Sequence, residues 1–309
     1  MDLKTYARLR PVIAALARER RAAWAMLAAL WLGVLALGGL FGAFLVRLGG
    51  GTAHLLAALA GAAALAAWLS PAVLYPFKQR FKREIVKPLL EHAFEAVTYA
   101  PLGSVSALDL EASLLFKSVP AEEVTGEDLV VGRRGGVTVR FSEVRAGGGL
   151  RQKRRRGEAR ITYEAPAFRG LLFVADFNKP SPGIVVAYPE RWLLARPLIA
   201  LERVQLEDPR FERHYKVFVS DRVFAFYALS PVFMEALAAF AEIAGPLAFS
   251  VVYGKLYLAL PGSRNRLEPP LFGPLLSPRL YQGFMQEVGL LLELVEALRL
   301  NRRIWGQMS

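Results

Sequence analysis

Apolar residues fall in two dense blocks near the N-terminus and then give way to short, interrupted runs. Ala22–Val46 and Leu55–Phe77 are 25 and 23 residues long and contain no charge. Each exceeds the roughly 20 helical residues that cross a hydrocarbon core of about 30 Å. The pattern predicts two transmembrane helices joined by RLGGGTAH, whose glycines Gly49, Gly50 and Gly51 suit a tight turn. A cleaved signal peptide is the competing reading. It fits poorly, because a signal core is about 7–15 apolar residues and here a second span follows at once. Residues 2–21 interleave Leu, Val, Ile and Ala with Arg. They read either as a basic helix on an anionic leaflet or as a solvated lead-in broken at Pro11.

After the spans, Lys82–Val97 keeps apolar residues at helical spacing (Ile85, Val86, Leu89, Leu90, Phe94). This predicts a helix leading out of the second span, with Pro88 as a kink point. Strand signals then dominate. Leu129–Val131 and Val137–Glu143 flank GRRGG as a hairpin. Arg160–Tyr163 and Phe168–Phe177 read as another strand pair, and Gly183–Tyr188, Tyr215–Val219 and Arg222–Ala228 as further strands. Pro231–Ile243 predicts a helix with proline at its start. Phe249–Tyr253 and Leu256–Leu260 form a hairpin across Gly254, and Leu280–Ile304 a long final helix. The expected class is α+β: a transmembrane helical hairpin, then a domain with a largely antiparallel sheet and a long C-terminal helix. The expected division is a basic segment over 1–21, the hairpin over 22–77 and a cytoplasmic domain over 78–309.

Charge gives the hairpin a direction. The net charge is +12 over 309 residues. Met1–Ala23 and Lys78–Lys87 each carry a surplus of four positive charges, while the connector has Arg47 alone. Lys/Arg beside a span end mark the cytoplasmic side. Both termini are therefore expected on the cytoplasmic side of a bacterial inner membrane. Residues 88–309 hold only +3 net, and Arg145–Arg160 alone holds +6. This is not a uniformly basic nucleic-acid binder. The spans contain no ionisable residue, which reads as an anchor rather than a transport pathway. Gly38 and Gly42 make a small-residue spacing that suits packing of the two spans on each other, or a homo-oligomer face.

Candidate chemistry is sparse. No cysteine is present, which excludes disulfides and thiolate metal sites. His54, His92 and His214 are isolated, and no phosphate-loop, dinucleotide or nucleophile-elbow motif occurs, so no cofactor is called for. The basic run RQKRRR offers Arg151, Lys153, Arg154, Arg155 and Arg156 to an anionic surface such as lipid headgroups or nucleic acid. It contains no aromatic residue, which argues against base stacking. The competing reading is a solvated hairpin tip. Asp176, Glu207, Asp208 and Asp221, with Glu212, could converge as a carboxylate site for metal or acid–base work. Asp is also common in plain turns.

Four segments in order resemble one bacterial family. FKREIVKPLL follows the hairpin, then FRGLLFVADFNK, then LEDPRFERHYKVFVSDRVFAFYALSPVFMEAL, then LNRRIW. Together, over about residues 75–305, they resemble the "domain of unknown function 3137" family. The resemblance implies a membrane-anchored protein, no assigned catalytic residues, and a LemA-like membrane protein as a partner. The sequence reading is thus a non-enzymatic scaffold or partner-binding protein. The alternatives are anionic-lipid or nucleic-acid binding through 145–160, and an enzyme using the carboxylates.

Overall fold

A computed structural model describes residues 3–116, 120–147, 150–155, 158–163, 168–190, 197, 199–262 and 267–297. Contacts divide the chain into two units: Met1–Leu89 with Leu267–Gly283, and Leu90–Arg266 with Phe284–Ser309.

In the first unit, α1 is Leu3–Arg47 and α2 is Thr52–Phe81. Both belong to helical runs long and apolar enough to cross a membrane, over Tyr6–Arg47 and Thr52–Ala93. At 1.5 Å per residue α1 extends about 68 Å, roughly twice a hydrocarbon core. The basic N-terminal segment therefore continues the first span as one helix. Pro11 lies inside that helix, and the stripe Leu9, Ile13 and Leu16 is buried. Small residues let the two helices approach. A Cβ on Gly38 would lie 2.5 Å from Ala62 Cβ, and one on Gly42 would lie 2.7 Å from Leu55 Cδ1. Trp31 Nε1 donates to Ser70 Oγ at 3.0 Å, and that hydroxyl donates to Ala66 O at 2.7 Å, so these polar groups are satisfied.

After α2 the helix widens to a π turn over Lys82–Val86, then resumes as α3, Lys87–Ala93. The amide of Lys87 donates to Lys82 O, five residues back. Pro88 supplies a reason: it has no N–H to donate to the carbonyl four residues earlier. The irregularity expected at Pro88 thus sits in the preceding turn.

The segment 267–277 runs along α1 within this unit. Trp24 Nε1 donates to Leu271 O at 3.2 Å, Arg20 to Pro270 O at 3.1 Å and Gly273 O at 2.7 Å, and Tyr6 Oη to Leu276 O at 2.6 Å. Glu268 takes Lys78 at 2.5 Å and the buried Lys82 at 3.5 Å.

The second unit is built on a nine-stranded sheet. Its strands are β1 (Ala96–Ala100), β2 (Val124–Arg134), β3 (Val137–Ala146), β6 (Phe168–Asp176), β7 (Val185–Pro189), β8 (Glu202–Val204), β9 (Tyr215–Val219), β10 (Ala248–Val252) and β11 (Lys255–Pro261). The order is β1-β2-β3-β6-β11-β10-β7-β9-β8, and every neighbouring pair is antiparallel. β4 (Leu150–Arg155) and β5 (Glu158–Tyr163) pair separately. The helices of this unit are α4 (Ala107–Ala112), α5 (Pro209–His214), α6 (Arg222–Ala228) and α7 (Pro231–Ala244), while α8 (Pro278–Ala297) belongs to the first unit as far as Gly283 and to the second from Phe284. The rest of the expected final helix, to Ile304, lies outside the described residues.

Central strands β7 and β10 are buried at every position, which requires cover on both faces. Leu110, Leu115 and Phe116 pack on one side with Val186, Tyr188, Val252 and Tyr257. On the other, Phe211 of α5 and Phe233 of α7 meet the sheet at Phe249, with ring centroids 6.2 and 5.7 Å away. Tyr215 stacks on Phe211 at 4.8 Å.

Three expectations are corrected. Arg222–Ala228 is a helix, not a strand, because the Asp221 side chain accepts from Phe224 N at 2.6 Å and caps it. Strand 160–163 does not pair with 168–177: β5 pairs β4, while β6 lies between β3 and β11. The stretch 145–160, expected as a loop or hairpin tip, is largely strand among its described residues: Arg145 lies in β3, Arg151–Arg155 in β4 and 158–160 in β5.

Candidate functional site

The carboxylates singled out by sequence do separate structural work. Asp208 caps α5 by accepting from Arg210 N at 2.8 Å and Phe211 N at 3.2 Å. Asp221 caps α6. Asp176 pairs with Lys255, its cross-strand partner, at 3.2 Å. Glu212 accepts from Leu206 N at 2.8 Å, and Glu207 is exposed. Among the described residues no group of three or more His, Asp or Glu could hold a metal ion. In the basic run, Lys153 lies opposite Arg160 and Arg155 opposite Glu158 in the β4–β5 register. Arg156 lies outside the described residues.

A different set of charges lines a cleft of about 370 Å³ at one end of the large sheet. Glu127 lies directly opposite Glu143, and Arg145 lies opposite both Thr125 and Arg169. Glu143 and Arg145 are two residues apart on β3, so they share a face. The cleft thus presents an acidic rung and a basic rung about 7 Å apart. Like charges opposite each other weaken a sheet. Two glycines allow the strands to close here: a Cβ on Gly126 would collide with Glu143 O, and one on Gly170 would collide with Leu260 O.

A bulge sets this arrangement. The β2–β3 register shifts between Glu127 and Val130. Asp128 takes a left-handed conformation (φ 63°), is buried, and accepts from Tyr99 Oη at 2.5 Å. The turn at Gly135–Gly136 alone would put Asp128 opposite Glu143. The bulge puts Glu127 there instead. No short motif marks these residues, because the site is made by pairing across three strands.

A second surface lies on α6. Phe224, Ala225 and Ala228 face the core, while Val223, Phe226 and Tyr227 are 80%, 50% and 39% exposed. The spacing of those three, i, i+3 and i+4, gives one outward helix face. Arg222 donates two hydrogen bonds to Glu202 of edge strand β8 at its border. That contact holds the Glu202 carboxyl below its usual range. Helices α6 and α7 pass together as apolar enough for a span but are bent by 66°. Phe233, Leu237 and Phe240 of α7 are buried in the protein, which makes α7 a core helix.

These features define an α+β protein with two membrane-capable helices and a large antiparallel sheet. Residues 166–300 match the family described as "Protein of unknown function (DUF3137)", which supports membership in the family that the four sequence segments resemble. No curated protein matches the chain. A solved structure with some likeness is the crystal structure of the mycobacterial trehalose monomycolate transport factor A, TtfA. Its TM-score is 0.38 at 11% identity, covering 68% of this chain and 90% of that one, and a likeness this distant carries no argument.

Proposed function

We propose that the protein is anchored by its two apolar helices in a bacterial inner membrane and holds its sheet domain in the cytoplasm to bind a protein partner. The basic flanks of both spans support the orientation. The observation that carries partner binding is the outward face of α6. Contiguous exposed apolar surface marks interaction sites, and the Arg222–Glu202 pair supplies the polar border such sites have. A LemA-like membrane protein is the first partner to seek.

The test compares proteins co-purifying from membranes with the full-length chain and with Val223→Asp/Phe226→Asp. The reading expects a specific protein that the wild type retains and the variant loses. Identical sets from both would overturn it.

The cleft favours a second reading, as a site for a small ligand bearing both an anionic and a cationic group. Arg145 and Arg169 would take the anion, as guanidinium groups take carboxylate or phosphate, and the acidic rung would take the cation. Arg145→Glu would abolish such binding in a titration with a zwitterion such as phosphoethanolamine, whereas unchanged binding would remove the arginine rung from the site.

A further inference from the structure

We infer that the strap around Leu271 and Phe272 is a third membrane contact, seated in the headgroup layer where the first span begins. The inference rests on the two-span anchor proposed above and adds to it a lipid-facing site outside both spans.

The argument is one of level along the helices. Trp24 is the third residue of the uncharged block that starts at Ala22. Trp is enriched where a span meets the headgroups. Lys78 is the first charge after the second uncharged block, and its ammonium meets Glu268 at 2.5 Å. The strap is therefore pinned at the polar ends of both spans. Trp24 Nε1 donates to Leu271 O, and the Trp24 and Phe272 ring centroids are 5.0 Å apart. Arg20, one turn before Trp24, fixes Pro270 O and Gly273 O.

Phe272 is nevertheless 75% exposed. An aromatic side chain carries about 150–250 Å² of surface, so leaving this one in water forfeits a large apolar burial. At the level of Trp24 the surroundings are not water but the boundary between headgroups and acyl chains. Arg20 and Arg21 beside it suit anionic headgroups. The strap then leaves the membrane. Leu276 O meets Tyr6 Oη, and Tyr6 lies 18 residues before Trp24, about 27 Å along the helix.

The chain lacks cysteine, so single nitroxide labels report one position each. Leu37→Cys, Phe272→Cys, Leu271→Cys and Leu276→Cys are made in the full-length protein and reconstituted in phosphatidylethanolamine–phosphatidylglycerol vesicles. Collision with oxygen and with a water-soluble nickel chelate gives depth. The expected order is Leu37 deep in lipid, 272 or 271 intermediate with nickel collision several-fold below 276, and 276 in water. Water-like values at both 271 and 272, with Leu37 in lipid, overturn the strap contact and leave the anchor standing. A water-like value at Leu37 overturns the anchor reading itself. Leu271→Cys keeps the Phe272 ring, so loss of the Trp24 contact cannot mimic a negative result.

Discussion

Asp208 and Asp221 direct their carboxylate oxygens at the free amides that open α5 and α6. Replacing a capping Asp with Ala costs about 1 kcal/mol, whereas Asn preserves the acceptor. Asp208→Ala and Asp221→Ala should therefore each lower the unfolding free energy of the purified chain by about that much, with the Asn variants near wild type. Tyr215 poses the opposite case. Its ring is buried, and its hydroxyl has no hydrogen-bond partner among the described residues. A buried hydroxyl left unpaired is costly. Tyr215→Phe should raise the unfolding midpoint, by about 1 kcal/mol in stability; a fall would mean that the hydroxyl is satisfied by water. Sequence could name Asp208 and Asp221 as acids of interest, and cap or catalyst look alike at that level. It could not find the pairing of Glu127 with Glu143, because one bulged residue, Asp128, shifts the register by one and sends its own side chain to Tyr99.

Close approach decides how the helices of the anchor tolerate change. A side chain at Gly42 meets Leu55 Cα at 2.9 Å, whereas one at Gly33 meets nothing within 4 Å. Gly42→Ile should loosen the α1–α2 pair, at a cost of about 1–3 kcal/mol typical of overpacking. Gly33→Ile should leave thermal stability in detergent unchanged. Elements with a strong local signal are legible in the residue pattern alone. Pro231 opens α7, and the β10–β11 hairpin turns on Tyr253 and Gly254, both at positive φ, as two-residue hairpins prefer. Strand β9 runs over Tyr215–Val219 as its pattern predicts. Helix α6 is not legible in that way. RVFAFYA is apolar on both faces, so neither a period of two nor of 3.6 stands out, and its aromatic content favours a strand. Strand β4 hides behind its charges, since basic residues are poor strand formers in isolation.

At the level of the whole molecule, alkaline pH probes both units at once. Burial pushes Tyr188 up to about 12 and raises Tyr215 and Tyr281 further. The folded state holds all three neutral, so their contribution is complete below the ordinary tyrosine value of about 10. It is lost as pH rises through the folded values. Unfolding midpoints in detergent should therefore stay level to about pH 10 and then fall. The tyrosinate absorbance of these three side chains, read as the difference between wild type and Tyr188→Phe, Tyr215→Phe or Tyr281→Phe, should appear only with unfolding. A difference signal from the native protein at about pH 10 would contradict their burial. The return of residues 267–283 to the first unit has one more consequence. The backbone passes between the two units three times, near residues 89, 266 and 283. A cut near residue 89 breaks the covalent link between the two long helices and the rest of the chain, yet the fragment that follows still carries 267–283, whose hydrogen bonds to Tyr6, Arg20 and Trp24 and ion pair with Lys78 remain. After such a nick the strap is a non-covalent tether, and its contacts decide whether the two fragments stay together.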